Sequence, residues 1–174
     1  KNLDRSRFTP YLIYIEKSGW YHKNEEDKTF LIDKNDFSIT MDSQKIQFDL
    51  VFNAIHGSPG EDGQILAYLE LLGIPHTSAP FYQMALTFNK KDCLAVAQKH
   101  GIPTAKSFYI NKGDSIDLEA ISASLDFPVF VKPNQAGSSF GISKVYEKTN
   151  LEQAIYTAKK EDEEVLIEQA LDGI

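Results

Sequence analysis

The segment 128–146 constrains the fold more than any other. Residues 128–133 (PVFVKP) read as a strand, 134–141 (NQAGSSFG) as a glycine- and serine-rich loop, and 142–146 (ISKVY) as the returning strand. Two β-rich runs joined by a short glycine-containing connection predict an antiparallel hairpin. An isolated hairpin is marginal in water, so it needs further strands or a covering helix. The flanks provide both. Asp117 is placed to cap a helix whose Leu118, Ile121 and Leu125 fall at helical spacing. Asn150 is placed to cap another, with Leu151, Ala154, Ile155 and Ala158 on one face. Residues 105–110 and 165–170 read as strands. The second half is thus strand, helix, hairpin, helix, strand.

The first half is organised differently. Residues 8–15 (FTPYLIYI) predict a strand, with Pro10 near its start or edge because proline donates no ladder bond. Trp20-Tyr21-His22 predict a short strand, and 24–47 reads as a loop with at most one short hairpin. Residues 48–55 (FDLVFNAI) form a compact apolar run of the kind found in buried parallel strands. A loop at 56–63 (HGSPGEDG) precedes a helix carrying Ile65, Leu69 and Leu72 on one face, with Gly73 as its C-terminal cap. Residues 74–76 lead into another short strand, giving a βαβ-like unit. Composition changes near 77–80, which divides the chain into an expected domain at 1–78 and a second at 79–174. A short helix over 81–86 and a longer one over 90–100 open the second domain.

The 174 residues carry a formal charge of −7. That balance argues against a protein that grips nucleic-acid phosphates, which needs a basic face. It leaves room for a local basic pocket. Cys93 is the single cysteine, so neither an internal disulfide nor a multi-cysteine zinc site is available. No apolar run reaches the 18 or more residues of a membrane span. The chain starts at Lys1 and stops at Ile174 just past a strand, so both ends read as cut.

Within 131–141, glycines let a backbone approach an anion, and successive amides and serine hydroxyls can cradle phosphate oxygens. Lys132 adds a point charge at the base of the loop. The loop is not a Walker A motif, because no Gly-Lys-Ser/Thr follows its glycines. An ordinary turn-forming loop is the bland alternative. Glu168 and Gln169 end an apolar strand, where a carboxylate and an amide could recognise a purine amino group. His56 stands at a strand exit, where open α/β sheets bind ligands. Glu61 and Asp62 read as acids favoured by a helix N-terminus. His22, His76 and His100 show no metal-like spacing, and Ser138 and Ser139 have no histidine nearby in sequence, so a hydrolase elbow of the Gly-x-Ser-x-Gly type is not supported.

Taken together, these segments resemble the D-alanine–D-alanine ligase family of ATP-grasp enzymes. The matching pieces are His56-Gly57-Ser58-Pro59-Gly60-Glu61-Asp62-Gly63, Lys90 opening a helix, Val131-Lys132-Pro133 with Gly137-Ser138-Ser139-x-Gly141, and Leu166-Ile167-Glu168. The resemblance implies an α/β fold: a Rossmann-like N-terminal domain followed by the central α+β lobe of an ATP-grasp. It implies joining of two D-alanines through an acyl phosphate, for peptidoglycan. By position, Lys90 and Lys132 would contact ATP phosphates under a loop that includes Gly137, Ser138 and Ser139. Glu168 would read the adenine amino group, with Gln169 and Leu171 beside it. Ser138 would order the loop and the first D-alanine, with catalytic consequence, and His56 would lie near that subsite.

The resemblance further implies ATP and magnesium as cofactors, small-molecule partners without nucleic acid or membrane, and a cytoplasmic location, and it allows a homodimer. Family features expected before Lys1 and after Ile174 include a glutamate for the first D-alanine, the C-terminal lobe with the metal ligands, and an oxyanion-stabilising arginine. The 174 residues alone are therefore expected to lack a complete site. Competing readings are another ATP-grasp carboxylate–amine ligase, including a D-alanine–D-lactate type, and a non-catalytic nucleotide-binding module.

Overall fold

A computed structural model describes residues 3–172; Gly173 and Ile174, read above as following the last strand, lie outside the described residues. The chain divides into two compact units, Lys1–Val51 with Leu69–Thr77, and Phe52–Tyr68 with Ser78–Ile174.

The first unit holds a five-stranded antiparallel meander in chain order: β1 (Ile13–Glu16), β2 (Gly19–Lys23), β3 (Thr29–Asp33), β4 (Ser38–Met41) and β5 (Gln44–Ile46). Three of these strands fall where the sequence reads as loop. Their signal is real but short: in β3 only Phe30 and Ile32 point inward, between exposed Thr29, Leu31 and Asp33. Two apolar residues in a five-residue strand do not stand out until partners complete the face. The β4–β5 turn is tight because Asp42 and Ser43 both take left-handed φ, 47° and 70°, the geometry of a two-residue hairpin connection. Phe30, Ile32, Phe37 and Ile39 are buried on the inner face. His22 is buried with them, its Nδ1 3.0 Å from the Leu12 carbonyl and its ring edge-on to Tyr11.

Two strand expectations are corrected here. The run 8–15 pairs only from Ile13 onward, since Pro10 has no N–H to give. The run 48–55 is not a continuous strand. It contributes one parallel bridge, Val51 to His76, with Val51 N–H bonded to Pro75 O at 2.9 Å and Thr77 N–H to Val51 O at 3.1 Å. A buried parallel strand needs neighbours on both sides and both faces covered. Among the described residues this run has one neighbour, and Leu50 and Phe52 stay exposed.

Helix α1 (Gln64–Leu71) buries Ile65, Leu66 and Leu69 and ends at Gly73, whose φ of 69° allows the Ile74 N–H to reach back to Leu69 O at 2.9 Å. Helices α2 (Phe81–Phe88) and α3 (Lys90–Lys99) follow, with the Asn89 side chain capping α3 at Asp92 N–H.

The second unit contains a four-stranded antiparallel sheet in the order β6-β9-β7-β8: β6 (Ser107–Ile110), β7 (Val129–Pro133), β8 (Ser143–Val145) and β9 (Val165–Gln169). Helices α4 (Leu118–Ser124) and α5 (Leu151–Ala158) supply Ile121, Leu151, Ala154, Ile155 and Ala158 to one core with Val129, Val131, Val145 and Ile167. Asp117 caps α4 through Ala120 N–H as its position predicts. Asn150 sits at the start of α5 but makes no capping bond; a 3₁₀ turn at Lys148–Asn150 leads into the helix instead. The sheet's other face carries Phe130 and Lys132 from β7 and Glu168 from β9, because Phe130 pairs with Glu168 and Lys132 with Leu166 across the ladder. That register positions the site.

Candidate functional site

The centre of the site is a direct ion pair between the Lys132 ammonium and the Glu168 carboxylate. The two residues stand diagonally across adjacent antiparallel strands on one face, the separation that long side chains bridge. Phe130 lies beneath, its ring 5.3 Å from Lys132 Nζ. A lysine and a glutamate 36 residues apart thus form one charged unit at the mouth of the glycine-rich loop.

Lys90 is the second ammonium. Its Nζ donates to Asn134 O at 3.1 Å and Ala136 O at 3.0 Å, both on the ascending limb of the loop. Burial pushes the Lys90 amine below the ordinary lysine value, and the neighbouring Lys132 charge pushes it the same way. Asp162 and Glu168 offset this only from a distance. Lys90 is therefore a half-buried cation whose contacts are neutral carbonyls.

The loop's base is held by Asn134, which is fully buried. Its carbonyl oxygen accepts Lys91 N–H at 2.9 Å, and its amide nitrogen donates to Asn89 Oδ1 at 3.0 Å and Glu164 Oε2 at 2.9 Å. One side chain thereby joins β7 to the start of α3 and the approach to β9. Above this base the loop arches outward. Ser138 and Ser139 take left-handed φ, 50° and 59°, and both are exposed. Among the described residues no acceptor lies against their amides or hydroxyls. Two adjacent non-glycine residues in that region cost about 1–3 kcal/mol each. An arch of unspent donors held in a costly conformation is suited to an anion.

The loop at 56–63 is built by its glycines. A Cβ on Gly60 would lie 2.5 Å from Ile55 Cβ, and one on Gly63 2.5 Å from the Phe81 carbonyl oxygen. Gly63 also has a φ of 86°. Gly63→Ala is therefore expected to lower the unfolding midpoint by several degrees, since left-handed strain alone costs about 1–2 kcal/mol and backbone contact adds to it. A thermal melt within one degree of the parent, followed by circular dichroism, would contradict this account of the motif.

Asp62 accepts Gln64 N–H at the start of α1, as an acid at a helix N-terminus does. Glu61 does something else: its Oε2 accepts Gly57 N–H at 2.7 Å and faces Gly137 of the glycine-rich loop. Sequence reasoning missed this role, because nothing local marks which of two adjacent acids turns away from the helix. Of the other expected site residues, His56 is exposed at the start of its loop and is not brought against Lys132 or Glu168. Gln169 turns its side chain to Asp126 at 3.2 Å, and Leu171 is exposed. Among the described residues no three His, Cys, Asp or Glu side chains gather to hold a metal, and no helix is long and apolar enough to cross a membrane.

Two ammonium groups thus stand beneath a glycine- and serine-rich hairpin on a four-stranded sheet. Comparison with known proteins gives the class. The family model described as D-ala D-ala ligase N-terminus matches residues 1–79, and the one described as D-ala D-ala ligase C-terminus matches 96–174. The chain belongs to the D-alanine–D-alanine ligase family. It is 53% identical over 171 residues to the D-alanine–D-alanine ligase of Flavobacterium johnsoniae, covering 98% of this chain and 53% of that protein.

Among solved structures, the VanG D-Ala:D-Ser ligase of Enterococcus faecalis matches 99% of this chain and 56% of its own, with a TM-score of 0.80 at 31% identity. The D-alanyl-alanine synthetase A of Vibrio cholerae matches 92% and 48%, with a TM-score of 0.76 at 29% identity. The mixed α/β architecture is that of these ligases. The chain spans about half the length of the curated relatives it matches.

Proposed function

We propose that this chain holds ATP for the ligation of two D-alanines to D-alanyl-D-alanine, the dipeptide of peptidoglycan synthesis. The observation that carries the reading is Lys90, a half-buried ammonium facing only carbonyls, beside Lys132 and under an arch of unspent amides and hydroxyls. Such a place favours a polyanion. In the reaction, the γ-phosphoryl group passes from ATP to the carboxylate of the first D-alanine. The amine of the second then attacks the acyl phosphate, and inorganic phosphate leaves as the peptide bond forms.

Lys90 and Lys132 orient the phosphates and neutralise charge on them. Glu168 accepts from the adenine amino group, and Gln169 and Leu171 line the same edge. Gly137, Ser138 and Ser139 close over the phosphates and keep water from the acyl phosphate, which hydrolysis would waste. Ser138 orders the loop against the first D-alanine, near His56. Magnesium, when bound in this family, would neutralise phosphate charge, and the described residues offer it no ligand set of their own.

The test uses a form of the relatives' full length carrying these residues. ADP release that requires D-alanine, with D-alanyl-D-alanine as product, is the expected result. Tight ATP binding without any D-amino-acid-dependent ADP release would leave only a nucleotide-binding module. Parallel reactions with D-serine and D-lactate identify the second substrate.

The Lys90 environment also sets a pH dependence. An approaching phosphate favours the charged amine, whose pKa is depressed in the free site. ATP affinity is therefore highest below that depressed value and falls as pH rises through it, earlier than an ordinary lysine at about 10.4 would allow. Lys90→Arg, which keeps its charge, should flatten the alkaline fall. Calorimetric titrations at several pH values check this; an identical alkaline fall in Lys90→Arg would assign it to another group.

A further inference from the structure

Building on the phosphate-site reading, we propose that Glu61 is a positioning residue whose carboxylate seats the glycine-rich loop and couples it to the loop at 56–63. Glu61 Oε2 is not free to wander, because it accepts Gly57 N–H at 2.7 Å. A Cβ on Gly137 would stand 2.8 Å from that same oxygen and 4.0 Å from Gly57 N. The Gly137 Cα therefore packs close to the hydrogen-bonded end of the carboxylate, which leaves no room for a side chain. Gly137 is not among the residues with left-handed φ. Its need for glycine is one of room, and the occupant of that room is Glu61.

Three observations meet at this contact. Lys90 Nζ holds Ala136 O from one side, and Glu61 meets the next residue, Gly137. Glu61 and Gly137 also line one cavity of about 240 Å³ with Met84, Thr87 and Phe88 of α2. The loop is thus pinned at 136 by hydrogen bonding to a cation and at 137 by close packing against a carboxylate, while Ser138 and Ser139 beyond them carry the left-handed strain. A phosphate that draws on Lys90 competes with the first pin. The second pin involves no phosphate-binding group, so it keeps the loop's base in place while Lys90 is shared. Without it, binding must also order the loop, and that ordering weakens affinity.

The experiment compares Glu61→Ala, Gly137→Ala and the double variant in a form of the relatives' full length. It reads amide exchange of residues 136–141 by mass spectrometry, with and without ATP, and ATP affinity by calorimetry. Each single variant is expected to speed exchange of the loop at least about 10-fold in the nucleotide-free protein. Each should also weaken ATP by roughly 3- to 10-fold. In the double variant the alanine methyl at 137 enters the space that Glu61 leaves. The double change should therefore be no worse than either single one, the non-additivity of two groups in contact.

Additive effects in the double variant, or loop exchange unchanged by Glu61→Ala, would overturn the proposal. If Glu61→Ala loses its thermal unfolding transition, Gly137→Ala alone decides: unchanged loop exchange overturns the contact, and faster exchange with the transition retained upholds it. Exchange without nucleotide tests the contact whether or not ATP binds. Failure of that full-length parent to bind ATP instead removes the phosphate reading.

Discussion

Lys132→Met is expected to weaken ATP binding by roughly 10- to 150-fold, the equivalent of about 1.5–3 kcal/mol for one lost charge-assisted contact. Methionine keeps most of the apolar stem that lies over Phe130, so the change removes charge more than packing. The ammonium has three donors, enough to serve Glu168 and a phosphate together. Its loss has a second consequence. Glu168, mostly buried, keeps its charge without its partner, and an unpaired carboxylate there destabilises the sheet. Adding Glu168→Gln should restore much of the thermal stability without restoring affinity for ATP phosphates.

Ser138→Ala provides the contrast. It removes one exposed hydroxyl from the arch and should leave ATP affinity nearly unchanged, raising instead the KM for D-alanine or lowering kcat in the full-length form. Calorimetry with ATP and steady-state kinetics with D-alanine separate the two variants. If Lys132→Met bound ATP normally while Ser138→Ala lost ATP affinity, the roles assigned along this strand and loop would be reversed.

The largest stability effect at the site is expected from Asn134→Ala. The substitution strips a fully buried side chain of three hydrogen bonds, to Lys91 N–H, Asn89 Oδ1 and Glu164 Oε2. Each buried partner left unmet costs about 1–3 kcal/mol, so a total of roughly 2–4 kcal/mol is reasonable after partial relaxation. For a chain of this size that lowers the unfolding midpoint by about 4–16 °C. Asn134→Asp should do little better. It retains an acceptor for Lys91 N–H but sets a second carboxylate against Glu164. Asn89→Ala removes one of the same partners and should act non-additively with Asn134→Ala. A midpoint shift of under 2 °C for Asn134→Ala, measured by calorimetry, would remove this residue from its place as the tie between β7, α3 and β9.

Features encoded by a local period or a single backbone requirement are legible in the chain alone. Leu151, Ala154, Ile155 and Ala158 recur at helical spacing, and all four are buried on α5. Gly73 closes α1 because only a left-handed residue lets the last carbonyls be met, and Asp117 caps α4 because its carboxylate reaches Ala120 N–H three residues on. The hairpin around 134–141 was visible for the same reason: two β-rich runs and their turn residues lie within 20 positions of one another.

Tertiary structure decided what depends on partners distant in the chain. The run 24–47 became three strands because the meander supplied neighbours for segments too short to show a period. The run 48–55, apolar enough for a buried strand, kept a single bridge because, among the described residues, one neighbour reached it. The candidate site is of this second kind. That Lys132 meets Glu168 follows from the β7–β9 register, and a slip of one residue would have put them on opposite faces. That Lys90 meets carbonyls of the glycine-rich loop, and that Glu61 rather than Asp62 lies against that loop, follows from how loops far apart in sequence fold against one another. Residue types are written in the chain, but the distances between charges exist only once the sheet has chosen its register.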